Sequence, residues 1–155
     1  MRTIIFRGKR VDNGEWIEGC LWEQPQRHGS HSMIYVQDGD EETEDTGWVH
    51  VERSTLGQFI DIKGYKGDFA HNARFRQEVK LFEGDIIEAM SQGYKGTFAI
   101  TYRSESSPIY ILYPAWQNNE FWKIHGSDTG RVKGDFYDDL KVIGNIYDNP
   151  ELLKR

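Results

Sequence analysis

The chain has 155 residues, the size of one ordinary domain, and is long enough to bury a core without disulfides or a structural metal. Its net charge of −6 argues against a generalised grip on nucleic acid or an anionic membrane, though a local basic patch stays possible. A single cysteine, Cys20, excludes an intrachain disulfide and a cysteine-based zinc site, and it fits a reducing compartment.

Aromatic residues are plentiful, with 5 Trp, 8 Tyr and 8 Phe. A core built from aromatic and β-branched side chains suits strands better than helices. Short runs of that kind recur along the chain. Thr3–Phe6 comes first, and Glu15–Leu21 follows the turn Asp12-Asn13-Gly14. Met33–Val36 and Trp48–Val51 flank the acidic run DGDEETED. Gln58–Ile62, Asp85–Met90, Thr97–Tyr102, Ile109–Tyr113, Phe121–Ile124 and Lys141–Ile146 complete the series. Gly, Asn, Asp and Pro punctuate the gaps, as turns require. In TFAITY the side chains alternate, Phe98 and Ile100 to one face and Ala99 and Thr101 to the other. Helical periodicity is scarce. The best helix start is Asp148-Asn149-Pro150-Glu151, with a polar cap, proline in the first turn and an acid at the positive end.

The expected fold is therefore mainly β, with α+β as the alternative. The N-terminus MRTIIFRGKR lacks a signal-peptide core, and no run approaches the roughly 20 apolar residues of a membrane span. The expectation is a cytoplasmic protein with no membrane partner.

Four segments occur in a recognisable order: FRGKRVDNGEWIEG, STLGQFIDIKG, KLFEGDIIEA and KVIGNIYDNPELL. Together they closely resemble the YopX family of phage and prophage proteins. The resemblance implies an SH3-type small β-barrel in the C-terminal half, and it brings no catalytic residues. With it, residues 1–63 read as an N-terminal β lobe, 64–78 as an extended link, and 79–155 as the barrel with a short C-terminal helix. EGDII is then a tight turn at Gly84 feeding a buried strand, with TFAITY its hairpin partner across Ser91–Gly96. The chain departs from the family pattern in its longer link, IDIKGYKGDFAHNARFRQEVKLF.

Several constellations invite a chemical reading. GYKG occurs twice, at 64–67 and 93–96, without the spacing or following helix of a phosphate loop, so both copies read as turns. Asp61-Ile62-Lys63 and Glu78-Val79-Lys80 have the carboxylate-x-lysine spacing of metal-dependent nucleases, with Glu44 or Asp45 as a further acid. Asp38–Asp45 misses the glycine and glutamate positions of an EF-hand loop and reads as a solvated hairpin. His28 and His31 lack further ligands. Cys20 reads as a buried small hydrophobe. Glu83 and Asp85 read as turn chemistry, and Trp116 and Trp122 as core.

Basic residues gather between Arg53 and Lys80, with aromatics among them. Lys63, Lys66, Arg74, Phe75, Arg76 and Lys80 are the expected partner-contact residues. The expected function is that of a phage or prophage accessory protein. It acts without catalysis or cofactor, binding a protein partner and associating with itself. Nucleic-acid binding through the basic 53–80 segment is the first alternative. A metal-dependent nuclease using Asp61 and Lys63 is the second.

Overall fold

The computed structural model describes residues 3–24, 31–36, 47–67, 77–91, 94–104, 109–117, 120–122 and 140–154. These residues are almost entirely strand, so the protein is mainly β. The chain divides into two compact units, Met1–Phe59 and Ile60–Arg155.

The first unit is an antiparallel meander of β1 (Phe6–Lys9), β2 (Trp16–Gln24), β3 (His31–Val36) and β4 (Gly47–Val51). The apolar run Thr3–Phe6 looked like the first strand, yet β1 begins where that run ends. The turn that follows β1 sets its register. Asn13 Oδ1 accepts the Glu15 N–H at 2.9 Å, and Arg10 N donates to the Glu15 carbonyl at 2.9 Å. That turn sets Lys9 opposite Trp16 and Phe6 opposite Gly19.

The meander curls back on itself at one end. Arg10 bridges Val51, Val11 N donates to the His50 carbonyl, and Glu52 N donates to the Lys9 carbonyl. A 3-10 turn at Arg53–Thr55 follows, in which the buried Thr55 hydroxyl accepts the Lys9 N–H and donates to the Glu52 carbonyl. Ile34 and Val51 are the buried centre of the inner face. A Cβ on Gly19 would collide with the Tyr35 carbonyl oxygen. Only glycine lets the strands approach this closely, and glycine inside a strand commonly marks such a bend.

β5 (Gly57–Lys66) crosses the unit boundary: Gly57 and Gln58 pair with β1, and Tyr65 pairs in parallel with β12. The second unit adds β6 (Gln77–Phe82), β7 (Asp85–Ser91), β8 (Tyr94–Arg103), β9 (Ile109–Tyr113), a small hairpin of β10 (Trp116–Gln117) and β11 (Glu120–Phe121), and β12 (Leu140–Asn145). Its strand path runs β5-β12-β7-β8-β9, with β6 also on β5. Ile60, Leu81, Ile87, Ala89, Phe98, Ile100, Leu112, Trp122 and Leu140 form one buried cluster. The Trp122 ring lies 5.0 Å from that of Phe98.

Two expectations change here. The C-terminal half is not a closed barrel: among the described residues the path ends at β9, and β5 already holds β12 and β6 as partners. The C-terminal helix is a 3-10 turn of four residues, Pro150–Leu153. Asn149 does not cap it with its side chain. Its Oδ1 instead accepts the Asn145 N–H, while Asn145 Oδ1 accepts the N–H groups of Tyr147 and Asp148. These bonds fix the turn at 145–149 that leads into it.

The hairpin reading of EGDII and TFAITY holds, with Ile86 opposite Ala99 and Ile87 opposite Phe98. The GYKG copies differ from expectation. Tyr65 and Lys66 belong to β5, and Tyr94, Lys95 and Gly96 belong to β8. Gly64 and Gly96 are buried positions where a Cβ would press on Leu81 and on the Phe98 ring. They are glycine because large side chains cover them, Leu81 from β6 and Phe98 from two residues along β8 itself.

Candidate functional site

Alternation along the meander sorts side chains onto two faces. Gly19, Leu21, Ile34, Val49 and Val51 point inward, which puts Cys20, Trp22, Tyr35 and Trp48 on the outer face. Trp22 is 41% exposed, Tyr35 38% and Trp48 51%. Trp48 stands opposite Tyr35, and the rings touch with centroids 5.1 Å apart at an angle of 58°. Trp48 also meets Trp22, at 6.2 Å and 53°. Three aromatic rings from three neighbouring strands thus form one exposed cluster. Each is held by a backbone ladder rather than a loop, so the cluster is pre-organised.

The same face continues onto β1. Lys9 lies opposite Trp16, and Arg7 opposite Glu18. The Arg7 guanidinium sits 4.8 Å from the Trp16 ring centre and the Lys9 ammonium 5.4 Å from it. Both distances fit cation–π contact, which holds the two charges against the sheet. Beyond the end of β1, Arg10 Nη2 pairs with Asp12 Oδ2 at 2.7 Å, and this bond holds the Asp12 carboxyl below its ordinary pKa.

Cys20 is exposed rather than buried. The pairing of Cys20 with Tyr35 fixes its face, and Gly19 and Leu21 occupy the inner positions on either side. Sequence reasoning missed this aromatic face. The signal was present in Trp16-x-Glu18-x-Cys20-x-Trp22 and Trp48-x-His50, period-two runs whose aromatic residues alternate with an already apolar inner set.

Of the expected partner-contact residues, Lys66 ends β5 exposed and Lys80 is exposed on β6. Lys63 lies on β5, but its side chain is outside the described residues, as is that of Asp61. Arg74, Phe75 and Arg76 are outside them entirely, as are His28 and Asp38–Asp45. Asp85 is a buried turn residue whose Oδ2 accepts the Phe82 N–H at 2.8 Å. The two tryptophans part company: Trp122 is core, whereas Trp116 is 65% exposed opposite Phe121. Among the described residues no three of His, Cys, Asp and Glu gather as a metal site, and no helix is long and apolar enough to cross a membrane.

A family model described as YopX protein matches residues 5–154. No curated protein and no solved structure matches the chain.

Proposed function

The chain belongs to the YopX family, and we propose that it is a non-catalytic phage or prophage accessory protein that binds another macromolecule. One observation carries this reading: the first unit exposes Trp22, Tyr35 and Trp48 in mutual contact on a rigid sheet face. Large aromatic side chains left in water on regular structure lose the benefit of burial until a partner covers them. Interface hot spots are enriched in these residue types.

Affinity capture from phage-infected host cells, with and without nuclease treatment, tests the reading. The wild-type chain retains a partner that a Trp22→Ala/Trp48→Ala double variant loses. Equal capture by both proteins would remove the face from the function. The protein partner expected from the sequence corresponds to capture that survives nuclease treatment. Self-association belongs to the same reading and is measured by light scattering. Among the described residues Arg53, Lys66 and Lys80 are the exposed cations of the basic segment, which is a secondary contact surface.

A further inference from the structure

We infer that the outer face of β2–β4 receives an arginine-rich segment of a protein partner. The inference rests on the binding reading above and names the chemistry of the partner. Two observations meet at this face.

The first is where the net charge lies. Residues 37–46, which join β3 to β4, contain six carboxylates and no Lys, Arg or His. The chain has 25 acidic residues, and the 19 outside this segment match its 19 Lys and Arg. One segment therefore accounts for the whole net charge of −6. Its two ends are pinned together, because Val36 stands opposite Gly47 in the ladder. At about 3.8 Å per residue, no Cα of the segment lies more than about 20 Å from that pair.

The second is what stands at that end of the ladder. The next pair inward is Tyr35 and Trp48, and Trp22 packs against Trp48. All three rings are exposed. Exposed Trp and Tyr faces attract cations, and the planar guanidinium of Arg stacks on them where a Lys ammonium cannot. An arginine-rich segment can set some guanidiniums on the rings and others among the carboxylates.

The cations already on this face do not oppose such a partner. Arg7 and Lys9 are held on Trp16, which lies six residues from Trp22 along β2 and about 20 Å away. The same charge disfavours other occupants. A nucleic acid would bring its phosphates against the six carboxylates, and a second copy presenting this face would bring six more.

Fluorescence anisotropy of a labelled peptide of eight arginines separated by glycines, titrated with the full chain, tests this. The peptide should bind, and one with glutamine in place of each arginine should not. Trp48→Ala should weaken binding about fivefold, the worth of one exposed cation–π contact, and Trp22→Ala/Trp48→Ala should weaken it further. Changing the six carboxylates of residues 37–46 to their amides leaves the sheet untouched and should weaken binding at least about tenfold. Raising the salt from about 0.1 M to 1 M shortens the screening length from about 10 Å to 3 Å and should weaken it at least about fivefold. Trp116→Ala, in the other unit, should leave it unchanged. Circular dichroism of each variant separates lost binding from lost fold.

The inference falls if no change occurs up to roughly 100 µM protein, a hundredfold above the midpoint of a micromolar complex. It also falls if the amide variant weakens binding and the tryptophan variants do not, since bare charge attraction then suffices. An eight-nucleotide oligothymidylate that binds more tightly than the peptide overturns it too. Failure here combined with capture that depends on Trp22 and Trp48 would leave the binding reading intact with a partner of other chemistry. Failure of both would overturn both.

Discussion

Asp85 Oδ2 accepts the backbone N–H of Phe82 at 2.8 Å in a place where the aspartate is only 2% exposed. This bond closes the β6–β7 turn, whose Gly84 sits at φ +90°. Gly84 N then donates to the Ile100 carbonyl, and Ile146 N donates to the Gly84 carbonyl, so one turn is tied to two further segments. Replacing Asp85 by alanine leaves the Phe82 N–H buried without this acceptor. The expected loss is about 1–3 kcal/mol, the cost of leaving a buried donor without its acceptor. Asp85→Asn keeps an acceptor and should recover part of that. Urea unfolding of the three proteins measures it.

Gly19→Ala should be costlier. Its new methyl meets the Tyr35 carbonyl oxygen, a backbone atom that no rotamer change moves. Overpacking that displaces backbone should cost about 3 kcal/mol or more. Thermal unfolding should show the loss. A variant as stable as wild type would mean the strands do not approach this closely.

The aromatic face should be separable from stability. Trp48 is 51% exposed, and its main contacts are two rings equally on the surface. Trp48→Ala should change unfolding free energy by no more than about 1.5 kcal/mol, the range of an aromatic pair. Binding changes in that variant then report on the surface itself.

Cys20 should react with a disulfide reagent in the folded protein, because its thiol is on the exposed face. A spectrophotometric thiol assay without denaturant should count one modified residue per chain. Modification should perturb tryptophan fluorescence, since Cys20 pairs with Tyr35 beside the ring cluster.

The Asp12 carboxyl has its pKa lowered chiefly by the hydrogen bond from Arg10. A depressed folded-state pKa contributes stability above the unfolded value and loses it as pH falls through the folded one. Stability from this pair therefore fades only at acid pH. Arg10→Gln should return the Asp12 titration, followed by NMR, toward ordinary carboxylate values.

Much of this fold was legible in local pattern. Ile109–Tyr113 is read at both ends because Pro108 and Pro114 bracket five strand-forming residues. The Asp85 turn is read because aspartate after glycine bonds nearby backbone in any context. What escaped depends on distant partners. β6 hides in the link because Gln77–Lys80 carries charge, and only its last two residues, Leu81 and Phe82, are fully buried. Gly64 looks like a turn residue because the pressure from Leu81 on β6 is invisible in the neighbouring letters. The aromatic face was missed for a related reason. Alternation shows that a strand has two faces, but which face meets water is decided by the strands beside it.

The order of strand pairing has a consequence for synthesis. Each strand of the first unit pairs with the next, and Gly57 and Gln58 complete the set on β1. A nascent chain therefore holds every partner of this unit once β5 has emerged. The second unit waits for its last strand: β12 pairs with Ala89 and Glu88 of β7 and with Tyr65 of β5, all made long before it. Until residues 140–145 leave the ribosome, the edges of β5 and β7 that will receive them have no cover. Ribosome-bound chains long enough for Lys66 to have left the exit tunnel should already resist protease across the aromatic face, while those whose emerged part ends at Arg103 should remain open to it across β7.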